Sequence, residues 1–147
     1  MQAEQRRFAE VWASALVPGS VIQIRGESIL FKPRSGTHPL WLFLGGQAPP
    51  AVGDVQLVVN PAVFDCKRII PRHGASVRVP WLEFHKDELE GARGRLLSVD
   101  ATARCFVIDL GFPVVVTLLE PCEELLRARP GEILELEFAP PAQGHLA

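Results

Sequence analysis

Residues 132–138 read Glu-Ile-Leu-Glu-Leu-Glu-Phe, and their alternation decides the fold class. Glu135 and Glu137 fall on one side of an extended chain, and Leu134, Leu136 and Phe138 on the other. That period of two belongs to a strand with one wet and one buried face. Short apolar runs bounded by turn residues recur at 21–25, 28–32, 40–44, 55–59, 76–79, 93–99, 105–110 and 114–119, and each is expected to be a strand. The chain is therefore expected to be mostly β.

Two segments break that pattern. Phe8, Val11, Trp12, Ala15 and Leu16 lie at helical spacing and predict an N-terminal amphipathic α-helix over residues 1–17, ended by Pro18-Gly19. Pro121-Cys-Glu-Glu-Leu-Leu-Arg127 predicts one or two helical turns, with proline first and two glutamates near the positive end. The order of parts in GSVIQIRG, PLWLFLGG and VGDVQLVVNPA is echoed by GRLLSVD, PVVVTLLE and PGEILELEFAPPA. The expected architecture is two small β-barrel-like domains in tandem behind the helix: residues 19–62, then 66–140, then a tail at 141–147. A single larger barrel or sandwich is the alternative.

With 147 residues, nearly half of them apolar, the chain can bury a core and is not a disordered one. No apolar run approaches the ~20 residues of a membrane span. The first ten residues lack a signal-type apolar stretch, so a cytoplasmic protein is expected. Cys66, Cys105 and Cys122 are an odd number without CxxC spacing, and the four histidines are widely scattered. Neither a disulfide framework nor a metal site is expected. The net charge of −2 is unevenly spread. Lys67, Arg68, Arg72, His73 and Arg78 make the middle basic, whereas Glu120, Glu123, Glu124, Glu132, Glu135 and Glu137 make the end acidic. Such asymmetry points to a local anion site or to self-association.

No nucleophile elbow, phosphate loop or dinucleotide fingerprint occurs, so neither enzymatic activity nor a cofactor is expected. His85 and Asp87 sit in EFHKDELEG, which reads as a solvated turn, and Cys105 reads as a small core residue. Arg68 and Arg72, four apart around Pro71, can form a guanidinium pair able to grip a phosphate or a guanine edge. About thirty residues on, Asp100-Ala-Thr102-Ala-Arg104-Cys105 separates two apolar runs without glycine or proline.

The RxxxR pair followed by this DxTxxC turn resembles the PilZ domain, the bacterial β-barrel receptor for cyclic di-GMP. The resemblance covers about residues 66–140. It implies that Arg68 and Arg72 wrap guanines and phosphates while Asp100 and Thr102 hold the base, with Lys67, His73, Arg78 and Arg104 as further anion contacts. Residues 19–62 are similar to the small β-domain ahead of PilZ in flagellar-brake-type proteins. Cys105 stands where the family has glycine, a position of positive φ and close ligand approach. That departure implies weakened or lost nucleotide binding, with the domain acting through protein contacts.

Two other classes fit the residues. An OB- or SH3-like nucleic-acid binder would use the basic stretch with Trp81 and Phe84 beside it, although Trp41 and Trp81 are expected in the core. The acidic C-terminal third opposes that reading. An adaptor or assembly subunit without a small ligand would use an apolar patch, an edge strand or a second copy of itself.

Overall fold

The computed structural model describes residues 8–36, 38–72, 76–100 and 104–147. Its strands are β1 (Val17–Arg25), β2 (Ser28–Pro33), β3 (Leu40–Phe43), β4 (Gly53–Ile69), β5 (Trp81–His85), β6 (Glu88–Asp100), β7 (Cys105–Asp109), β8 (Pro113–Leu118) and β9 (Ile133–Leu146). The short helix α1 (Glu123–Arg127) joins β8 to β9. The chain is mostly β.

Among the described residues, all nine strands belong to a single sheet, ordered β1-β2-β3-β9-β4-β8-β7-β6-β5. Further pairings of β1 with β4 and of β9 with β6 close two circuits. One runs β1-β2-β3-β9-β4 and back to β1; the other runs β4-β8-β7-β6-β9 and back to β4. Both circuits use β4 and β9.

The expected boundary at 62–66 falls inside β4, and residues 141–146, expected as a tail, are strand β9. Prolines close to those expected boundaries are accommodated in the ladder. Register runs from Asn60↔Gln143 to Ala62↔Ala139, so Pro61 on one strand meets Pro140, Pro141 and Ala142 on the other. Proline has no N–H to give a ladder, and here it sits where the ladder is interrupted.

Residues 76–79 are not strand; pairing starts at Trp81, after Pro80, and EFHKDELEG forms the β5–β6 hairpin. Lys86 (φ 50°) and Asp87 (φ 63°) are its two loop residues, the paired positive φ of a type I′ turn.

A continuous core runs through both circuits. Ile29, Phe31, Leu40, Leu42, Leu57 and Val59 fill one, and Leu96, Phe106, Ile108, Val114, Val116, Leu134 and Leu136 fill the other. The alternate residues Val58, Cys105, Val107 and Val115 are buried too, because Ala9 and Ala15 pack over them, flanked by Phe8, Trp12 and Leu16. Burial on both faces explains uninterrupted apolar runs such as Val114-Val115-Val116. The covering segment departs from the expected continuous helix. Residues 8–11 are helical, Ala13–Ala15 form a 3-10 turn, and Val11 is exposed; residues 1–7 lie outside the described residues.

A buried polar network fixes this layer beside the interrupted ladder. The Asn60 side-chain amide donates to the Val115 carbonyl (2.7 Å) and to Thr117 Oγ1 (2.9 Å). Its Oδ1 is thus the acceptor for the His145 Nε2–H at 3.1 Å, and Phe8 stacks on His145 at 4.0 Å. Burial lowers the His145 pKa to about 4.

Two outcomes test these contacts. A Cβ on Gly94 would meet the Asp109 carbonyl oxygen and lie 2.7 Å from Leu110 Cδ2. Gly94→Ala is therefore expected to lower the unfolding free energy by about 1–3 kcal/mol in urea titrations. His145 stays neutral when folded but takes a proton in the unfolded chain below its ordinary value of 6.5. Stability should fall by roughly 3 kcal/mol as pH drops from about 6.5 to about 4. In His145→Gln that slope should flatten, whatever the change in stability at neutral pH.

Candidate functional site

Arg68 lies near the end of β4, in register with Leu134 of β9. Its side chain is 23% exposed; Nε is 3.3 Å from Glu124 Oε2 and Nη1 is 3.5 Å from Glu132 Oε2. Nη1 also donates to the Arg127 carbonyl at 3.3 Å, and the Arg68 backbone N–H points to the same Glu124 oxygen at 3.4 Å. Helix α1 positions Glu124, and the turn into β9 positions Glu132. Arg68 is thus enclosed by the chain's own acids.

The other expected residues are dispersed. Arg72 is exposed beyond the end of β4. Asp100 closes β6 opposite Cys105, the first residue of β7. Thr102 and His73 lie outside the described residues. Among the described residues of this turn, positive φ falls on Arg104 (54°) and not on Cys105, which is buried strand. The expected steric penalty at the cysteine is therefore absent.

Asp100 and Arg104 line a cavity of about 200 Å³ with Val99, Cys105, Leu118, Pro121, Cys122, Leu125 and Leu126. Arg68 and Arg72 are not part of that lining. Lys67 is 3.8 Å from Asp65, and both are exposed.

Two of the larger concavities have opposite character. Over the outer face of β4, β5, β6 and β9, a groove of about 450 Å³ is lined by Asp65, Glu83, Glu90, Glu135 and Glu137, with Lys67, Phe64 and Trp81. The tryptophans expected in the core instead carry cations: Arg25 sits 4.5 Å over Trp41, and Arg93 4.8 Å over Trp81. Arg93 is held in turn by Glu135 at 2.9 Å. The second concavity, about 500 Å³, lies between the β2–β3 connection, β5 and the β7–β8 turn. Ser35, His38, Arg78, Trp81, Phe84 and Leu110 line it. His38 stacks on Phe84 at 4.0 Å, and its Nε2 is 2.9 Å from Asp87 Oδ1. His38 and Asp87 are 49 residues apart, so nothing local in the sequence connects them. Arg78, expected as an anion contact, lines this concavity.

Burial raises the Cys105 pKa; the hydrogen bond with Thr117 offsets part of that rise, and Asp100 adds a smaller upward contribution. Burial, Cys122 and nearby acids push the Cys66 thiol far above its ordinary range. Both shifts oppose the thiolate that a cysteine nucleophile needs. Among the described residues no group of three metal-ligating side chains is assembled, and no helix is long and apolar enough to cross a membrane.

Comparison with family models, curated proteins and solved structures finds no match to this chain.

Alkylation measures the thiols directly. At about pH 8, iodoacetamide should modify half-buried Cys122 first. Buried Cys66 and Cys105 should label only after denaturant is added, as followed by mass spectrometry. Rapid labelling of Cys105 in the folded protein would show that its pocket supports thiolate chemistry.

Proposed function

We propose that the chain is a non-enzymatic binding protein of the adaptor type. In this reading the two circuits are five-stranded barrels fused along β4 and β9. The second is PilZ-like, with a nucleotide site closed from within. The observation that carries the proposal is the engagement of Arg68 with Glu124 and Glu132. A guanidinium grips a phosphate or a guanine edge through two parallel hydrogen bonds, and Glu124 on Nε and Glu132 on Nη1 compete for those donors, so at least one of them must first be displaced.

The small cavity beside α1 supplies what an adaptor needs. At about 200 Å³ it is below the ~300 Å³ lower end of small-molecule sites. Its size suits one or two apolar side chains. Exposed Val99 and Leu126 flank it, and Asp100 and Arg104 supply polar contacts at its lining. A partner protein presenting a single aliphatic or aromatic anchor residue fits that arrangement. Nucleic acid has less support, because the groove that bears Phe64 and Trp81 is lined by five carboxylates.

Calorimetric titration with cyclic di-GMP tests the closed-site reading. No saturable binding in the micromolar range is expected for the unaltered protein. Saturable binding that Arg68→Ala abolishes would overturn the proposal and restore a receptor role.

A further inference from the structure

The concavity between the β2–β3 connection and β5 differs chemically from the others. Its lining contains no carboxylate, whereas the groove over β4, β5, β6 and β9 has five and the one along β4 and β8 has four. It contributes instead an arginine, a histidine, a serine and two aromatic rings. We propose that this cleft is a binding site for a small planar anion, a ring carrying one phosphate or carboxylate group.

Each wall has a defined part. Arg78 is exposed and makes no ion pair among the described residues, so its planar fork can meet an oxyanion with two hydrogen bonds. His38 is ordered in advance by stacking on Phe84 and by the hydrogen bond to Asp87. Asp87 is anchored in turn: it sits in the type I′ loop, and its carbonyl accepts the Trp41 N–H at 3.0 Å. A ligand contacting this imidazole would not have to immobilise it, which removes an entropic cost of binding. Because Nε2 donates to the Asp87 carboxylate, a neutral ring has no N–H left for an anion, so His38 contributes an ordered ring surface and Arg78 meets the charge.

Trp81 borders both this cleft and the acidic groove. Arg93 over its ring is tied to Glu135, a residue of the acidic groove. Trp81 thus separates the two electrostatic regions and presents aromatic surface beside Arg78. Leu82 and Leu110 add the apolar surface that a ring needs. The volume of about 500 Å³ lies within the ~300–1,000 Å³ of small-molecule sites. None of this involves Arg68, so the site is independent of the closed nucleotide site.

Titration with four probes tests the proposal: 5′-GMP, benzoate, guanosine and inorganic phosphate. Binding of 5′-GMP or benzoate is expected to be at least about tenfold tighter than that of guanosine or phosphate. Preference for 5′-GMP identifies a phosphate ligand, and preference for benzoate a carboxylate ligand. Arg78→Ala should weaken the favoured probe at least about tenfold with no change in melting temperature. His38→Gln should weaken it as well, while Arg68→Ala should leave it unchanged. Failure of both ring anions to bind, or binding indifferent to Arg78→Ala, overturns the site.

Discussion

The antiparallel ladder between β4 and β9 is shared by both circuits, and the rest of the fold is arranged around it. It runs from Leu57↔Leu146 at one end to Ile69↔Ile133 at the other. Strands of 17 and 14 residues far exceed the usual ~5–6, and a twisted ladder cannot run straight over that length. Both strands interrupt their register at the same level, where Pro61 meets Pro140 and Pro141. On one side of the bend β4 takes β1 as its second neighbour and β9 takes β3. On the other side β4 takes β8 and β9 takes β6. Neither circuit closes without strand from both halves of the chain, which is why a cut at residues 62–66 does not separate two cores.

The bend also determines where polar groups are buried. Asn60 stands beside Pro61, and its amide ties β4 to β8 and, through His145, to the end of β9. Phe8 closes over the same histidine, so the N-terminal segment is joined to the network rather than left as an independent helix. The Pro33–Leu40 connection and β5 border the mixed cleft; the connection leaves the first circuit and β5 extends the second. The cleft is thus a consequence of fusing the circuits, not a feature of either alone.

Most strands could be read from local pattern, because alternation and turn residues act over a few positions. β2, β3, β7, β8 and the first half of β9 lie close to their expected spans. The longer elements could not be read this way. Pro61 and Pro140 look like terminators unless the opposite strand is known to bend with them, and that pairing joins distant segments. β5 was hidden because its charged residues resemble a solvated turn, whereas the hairpin they form is set by positive φ at Lys86 and Asp87. Among site residues, Arg68 was legible as a cation able to grip an anion. Its enclosure by Glu124 and Glu132 was not, since both acids lie more than fifty residues away. The His38–Asp87 contact had no local signal of any kind.

The uneven charge of the chain acquires a different meaning once the ladder is known. A basic middle and an acidic end suggest an external anion or a second subunit, but Lys67 and Arg68 on β4 and Glu135 and Glu137 on β9 lie on strands that pair side by side. Lys67 stands opposite Glu135, Arg68 is matched by Glu132 and Glu124, and Arg93 of β6 takes Glu135 from the other side. Much of the asymmetry is therefore internal complementarity, of the kind that fixes register in a long ladder. The acids are in excess on that face, with Asp65 opposite Glu137 and Glu83 and Glu90 alongside, so it repels anions. Arg78 belongs to the same basic stretch but lies beyond β4, out of reach of the β9 glutamates in the ladder. Its charge is consequently exposed in a concavity whose lining carries no carboxylate, beside ordered aromatic rings. In the proposed reading, the same folding that encloses Arg68 between Glu124 and Glu132 leaves Arg78 as the cation of the cleft.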